Sequence, residues 1–229
     1  MNLKKIIKKP IHTRIRIGFV LKMSLLIFLI NVGLVLSHYD LPISSYFYNG
    51  TFYLRENPYI RFIQRYSWLV IVFLYMWTMR EYYRGKRGLP SRINYRQFKF
   101  LSISLFGWCI AFVHLIKFSF GRIRPIQASI FGGSFDFTPA FVFSNQCKYD
   151  CSFISGHTGV MAWLLAFSMV IPQKYRLFGY FTTAVCVILT ALGRIMGGFH
   201  FISDIYFAML FVAIGIIYTS KFYITDNKS

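Results

Sequence analysis

The sequence predicts an all-α fold, an integral membrane bundle of six transmembrane helices. Three observations carry this. Hydrophobic residues make up 56% of the 229 residues and charged residues only 14%, so the chain lacks the surface charge of a soluble domain. Mean hydropathy is +0.50. The apolar residues are gathered into six long runs, and a helix needs about 20 apolar residues to cross a bilayer core. The same composition excludes a disordered chain, and four cysteines are too few for a disulfide-framework miniprotein.

Each run is justified in turn. The first, Ile17–Ser37, carries one cation, Lys22, near its start. Its basic front resembles a secretory leader, but the run exceeds the usual apolar stretch of roughly 7–15 residues. No small-x-small cleavage site follows Leu36-Ser37-His38, so it reads as a retained helix. The second, Arg61–Met79, opens on Arg61 and Arg65 and is apolar only toward its end. The third is Phe98–Ile116. The fourth, His157–Pro172, is the shortest. The fifth and sixth are Tyr175–Leu192 and Phe201–Tyr218. No internal repeat or linker divides the chain, so residues 1–229 form one domain.

Charge orients the bundle. Lys and Arg number 26 against 7 Asp and Glu, for a formal charge of +19. Such a balance suits a nucleic-acid binder or a membrane protein with basic flanks. Six apolar runs decide for the membrane, with the lipid bilayer as partner and no nucleic acid. Alternate connections hold sixteen and eight Lys and Arg. The positive-inside rule then puts both termini and segment 80–97 in the cytoplasm, with residues 1–16 as a basic tail. Segments 38–66 and 117–156 and the turn at 193–200 face outward, giving a long periplasmic loop over 118–156 and a periplasm-facing active site.

Ionisable residues at membrane depth are expensive and point to function. Three outward segments carry them: Lys117 to Arg124-Pro125, Ser155-Gly156-His157, and Arg194 through His200 to Asp204. Lys117, Arg124 and Arg194 are cations suited to a phosphate, as a point charge and two planar forks. Ser155 and Gly156 precede a helix start, where free N–H groups favour an anion. His200 and Asp204 are four apart and share a face on a helix. Asp204 can hold one imidazole nitrogen protonated and leave the other to attack phosphorus. His157 can protonate the leaving oxygen.

These residues resemble the three-part signature of the phosphatidic acid phosphatase type 2 superfamily, K-x6-RP, PSGH and SR-x5-H-x3-D. The chain reads Lys117-x6-Arg124-Pro125, Ile154-Ser155-Gly156-His157 and Gly193-Arg194-x5-His200-x3-Asp204. Every charged or imidazole position matches. Ile154 stands where Pro is usual and Gly193 where Ser is usual, and neither change removes a titrating group. The resemblance implies a double displacement through a phosphohistidine on His200. Asp204 orients His200, and His157 protonates the leaving group and then activates water. Lys117, Arg124, Arg194 and the Ser155/Gly156 backbone stabilise the phosphoryl oxygens, with no metal or other cofactor. Six apolar helices point to the membrane branch rather than the soluble vanadium haloperoxidases.

Other features carry weaker expectations. An oxidising compartment permits a disulfide between Cys147 and Cys151, which would pin the loop entering the phosphate site; two free thiols are the alternative. Cys109 and Cys186 behave as small apolar residues. Seven Phe in the outer segment (118, 120, 131, 135, 137, 141 and 143) suit either acyl-chain contact or an interfacial belt. Asn49-Gly50-Thr51 reads as a tight turn in preference to a glycosylation site. Asp136 and Asp150 read as solvated, and His38 and His114 as structural.

The expected activity is a phosphomonoesterase acting on a phosphorylated membrane lipid. The Cys-x3-Cys-Ser-Phe-x-Ser-Gly-His stretch, with Phe137-Thr138-Pro139 upstream, is locally similar to bacterial lipid A phosphatases of this superfamily, and the 4′-phosphate is favoured slightly over the 1-phosphate. The alternatives are an undecaprenyl pyrophosphate or phosphatidylglycerophosphate phosphatase, for which Arg122 offers a spare cation, a lipid phosphotransferase, and a lipid-binding or transport protein with a dead site. Oligomeric state is left open.

Overall fold

Local sequence sets the helix boundaries. Asn57 accepts from the Tyr59 and Ile60 amides ahead of Pro58, and so starts one helix. Asn94 and Gln97 cap each other reciprocally and start another. Gly121 ends the third apolar run with φ +56°, where any side chain would collide with the Ser144 carbonyl.

The computed structural model describes residues 11–224. The first ten residues of the expected basic tail and Lys228 lie outside them. The elements are α1 (Ile11–Ser37), α2 (Asp40–Tyr46), α3 (Pro58–Lys86), α4 (Tyr95–Ser102), α5 (Val113–Phe120), α6 (Gly156–Met161), α7 (Leu164–Val170), α8 (Gln173–Met196) and α9 (Ile202–Tyr223). A π-helical stretch, Ile103–Phe112, joins α4 to α5 without a break. The described residues hold no strand, only isolated bridges. One of these, Tyr48 with Phe52, closes the turn at Asn49-Gly50-Thr51, with Gly50 at φ +94°.

The all-α expectation holds; the six runs do not map onto six clear spans. Among the described residues three helices are long and apolar enough to cross a bilayer: Tyr95–Gln127, α8 and α9. A fourth arises if α1 from Leu21 and α2, bent by 49°, count as one span. Helix α3 has the length, but Arg61 and Arg65 near its start and Arg80, Glu81, Arg84 and Lys86 near its end shorten its apolar part. The fourth run breaks in two, because i→i−3 bonds from Trp163 and Leu165 tighten the chain between α6 and α7.

The core lies between α4, the π segment, α6, α7 and α9, around Trp163, whose indole donates to the Leu101 carbonyl at 2.9 Å. Glycines let α9 come close to its neighbours: a side chain at Gly33 would collide with Phe207, and one at Gly215 with Trp108. Outward, large apolar side chains stand exposed on α1, α3 and α8, including Phe28, Phe73, Leu177, Phe181 and Ile188. Such a surface suits lipid rather than water.

The seven Phe are used mainly for packing. Phe120 and Phe141 pack against Phe153, and Phe131 is buried against Phe52. Phe118, Phe135 and Phe143 are exposed. Because α5 runs to Phe120, the expected loop over 118–156 begins only at Gly121, and it holds two short 3-10 turns.

Helix α9 carries both ends of the molecule. At about 1.5 Å per residue its 22 residues span about 33 Å. Its N-terminus meets the loop residues Ser152 and Ser155, while near its C-terminus the Phe222 carbonyl accepts from Arg96 at 3.2 Å. The motif residues and the basic segment 80–97 therefore sit at opposite ends of the bundle.

Candidate active site

The three motif segments meet at the N-terminus of α9. Lys117, from the end of α5, donates through Nζ to the Cys151 carbonyl at 2.8 Å. Ser152 N donates to the Arg122 carbonyl at 2.7 Å, and Ser155 N to the Asp204 carbonyl at 3.1 Å. The Ser155 amide is thus bonded within the protein. Gly156 remains beside the cation, since a β-carbon there would lie 3.9 Å from Lys117 Nζ.

The turn Gly197–Phe201, between α8 and α9, carries the nucleophile candidate. His200 precedes the helix instead of lying on it, because the Asp204 carboxylate caps α9 by accepting from the Phe201 amide at 2.8 Å. His200 is 1% exposed. Its Nδ1 lies 3.7 Å from Asp204 Oδ2, too long for a hydrogen bond. Ser152 stands between them, with Oγ 3.3 Å from His200 Nδ1 and donating to Asp204 Oδ2 at 2.5 Å. His200 Nε2 is buried and has no hydrogen-bond partner. Burial pushes the His200 pKa well below its ordinary value; the Asp204 carboxylate opposes the fall, and Arg194 and Lys117 add to it. The ring is therefore neutral, the form that can attack.

Cations surround this atom. Arg194 is buried with its Nε unpartnered. Lys117, Arg124 and Arg194 all lie within electrostatic reach of His157. Arg194 packs over the Phe199 ring at 4.5 Å, Arg124 at 5.7 Å and Arg55 at 4.9 Å, so one aromatic side chain spaces three guanidinium groups. Arg124 pairs with Asp150, which is solvated as expected and also joined to this cation. The Cys147 and Cys151 sulfurs are joined, with Cα atoms 5.5 Å apart, closing a small ring around Asp150. Among the described residues no group of three or more His, Cys, Asp or Glu is placed to hold a metal ion.

Three residues near the site lay outside the expected set. Arg122 is no spare cation: it is 1% exposed and bound to both Asp40 and Asp204. Ser152 bridges His200 and Asp204. Arg55 comes from the loop between α2 and α3. In a chain with seven acids, Asp40 just past the first apolar run was the available signal for the first of these.

An unpartnered, buried imidazole nitrogen within electrostatic reach of Lys117 and Arg194 has the chemistry that phosphoryl transfer uses. The chain belongs to the PAP2 superfamily, whose family model matches residues 98–228, and it is a phosphoric monoester hydrolase. It is 28% identical over 187 residues to a lipid A 4′-phosphatase of Francisella tularensis subsp. novicida, covering 79% of this chain and 84% of that one. It is 29% identical over 137 residues to a lipid A 4′-phosphatase of Rhizobium etli, covering 59% of this chain but 53% of that one. It is 35% identical over 99 residues to a lipid A 1-phosphatase of Rhizobium etli, covering 43% and 38%. No solved structure matches the chain.

Proposed function

We propose that the protein removes one phosphate from lipid A at the outer face of a bacterial inner membrane, by two displacements through a phosphohistidine. One observation carries the mechanism: His200 Nε2 is buried, unpartnered and neutral, with Lys117 and Arg194 acting on it. In the first step the Nε2 lone pair attacks phosphorus. The bond to the leaving sugar oxygen breaks, and that oxygen takes a proton from the imidazolium form of His157, whose charge the bound phosphate dianion stabilises. Lys117, Arg124 and Arg194 hold the three phosphoryl oxygens as charge redistributes. In the second step His157 takes a proton from water, the water oxygen attacks phosphorus, and the N–P bond breaks to release phosphate. Donors on Arg194 are free for this role, since its Nε has no other partner.

The substrate rests on the relatives' names, and the longest match favours the 4′-phosphate. A cleft of about 470 Å³ lined by Tyr48, Tyr53, Arg55 and Phe131 adjoins the site through Arg55 and offers room for a sugar headgroup. A pyrophosphate substrate would call for more cations, and Arg122 is already committed to two carboxylates. A dead lipid-binding protein would not need His157, His200 and Asp204 together. The basic segment 80–97, opposite the site, supports cytoplasmic termini and a periplasmic site. The six spans would be α1 with α2, α3, Tyr95–Phe120, α6 with α7, α8 and α9.

The test is expression in a bacterium with bisphosphorylated lipid A, followed by mass spectrometry of the lipid. The expected result is loss of one phosphate, from the 4′ end on fragmentation, and no loss with His200→Ala. Unchanged lipid A, with phosphate released from undecaprenyl pyrophosphate or phosphatidylglycerophosphate, would overturn the assignment.

A further inference from the structure

Arg122 uses all three nitrogens inside the protein. Nε donates to the Thr138 carbonyl at 2.7 Å, Nη1 to Ser203 Oγ at 3.0 Å and Asp204 Oδ1 at 2.6 Å, and Nη2 to Asp40 Oδ2 at 2.7 Å. Phe137 and Phe201 pack on it at 5.5 and 4.3 Å. Asp40 also accepts from the Ser203 amide at 3.0 Å and from its hydroxyl at 2.7 Å. Burying such charges is costly, and a well-packed apolar trio often does as well for stability. The phosphate clamp gains nothing directly from this arginine. What it fixes is one oxygen of Asp204.

The other oxygen of Asp204 faces Ser152. A carboxylate only accepts, so the Ser152 hydroxyl proton points to Asp204. The Ser152 oxygen can then only accept from His200, which puts the imidazole proton on Nδ1 and leaves the lone pair on Nε2. Asp204, at 3.7 Å, is too far to set that tautomer alone.

We propose that Ser152 and Arg122 are positioning residues of one relay, His200 Nδ1–H to Ser152 Oγ–H to Asp204, whose far end Arg122 pins between Asp204 and Asp40. The inference rests on His200 being the nucleophile. Asp40 lies outside the segment that the family model matches, so this chain closes its relay with the first residue of α2, just past its first helix.

The experiment uses the full-length protein in detergent, a soluble aryl phosphate monoester, and rapid-quench measurement of the burst per active site. Ser152→Ala and Asp40→Asn are compared with the parent, after thermal melting shows that each is folded. Each variant is expected to slow phosphoenzyme formation per burst-competent site by about tenfold or more, as loss of an orienting partner does at other sites, with KM within about twofold. A purely structural tie would lower the melting temperature and the number of competent sites, leaving the rate per site unchanged. A burst rate constant within about twofold of the parent in either variant overturns the relay. His200→Ala is the separate control: a phosphoenzyme and turnover in that variant would overturn the nucleophile assignment instead.

Discussion

Arg124 and Asp150 form an ion pair beside the phosphate site: Arg124 Nε donates to the Asp150 carbonyl at 2.9 Å and Nη2 donates to its carboxylate. The carboxylate occupies a donor that an incoming phosphate would use. Asp150 is 76% exposed, so the pair is worth at most about 1 kcal/mol. Asp150→Asn should lower KM for a phosphorylated lipid by about two- to fivefold with little change in kcat. An unchanged or raised KM in mixed micelles would show that Asp150 does not compete with substrate.

His200→Ala should abolish turnover, because among the described residues no other unpartnered imidazole nitrogen is buried among the cations. Quenching the parent during turnover of a substrate labelled in its phosphate should leave acid-labile, base-stable label on the protein, and the variant should carry none. Turnover should persist in EDTA, since the acting groups are imidazoles and cations, with no cluster of metal-ligating side chains beside them among the described residues.

The ring closed by Cys147 and Cys151 carries the Cys151 carbonyl that orients Lys117. Mass spectrometry of the non-reduced peptide should therefore find it about two hydrogens lighter than the dithiol. Reduction should weaken activity by loosening Lys117. Full alkylation without a reductant would show free thiols.

Orientation is checked with fused reporters. A periplasm-active phosphatase attached after residue 140 should be active, and one attached after residue 90 silent, following the excess of Lys and Arg in segment 80–97. The opposite pattern would invert the protein in the membrane.

The motif residues were legible in the sequence because each depends on short spacing: Lys117 with Arg124, Ser155 with His157, His200 with Asp204. Such spacings survive folding, and the structure gathers all three segments at one end of the bundle. The ladder of spans was less legible. Hydropathy could not foresee that Trp163 and Leu165 would tighten the fourth run into two pieces, nor how far the terminal charges of α3 shorten its apolar part. Partners far apart in the chain were not legible at all. Arg122 reads like any cation near a motif, and only folding brings it to Asp40, 82 residues away. The pairing of His200 with Asp204 was legible as proximity, but its route through Ser152 depends on a helix that starts two residues too late to carry His200.

Asp40 has one more consequence, for protein engineering. It sits just past the first helix, as the first residue of α2, and yet bonds the backbone where the last helix begins. The front of the chain is therefore no interchangeable anchor. A chimera that joins residues 98–228 to the leading helix of another membrane protein should fold around an orphaned arginine unless the donor brings an acid to that corner. Domain swaps in such a chain succeed or fail on a single carboxylate.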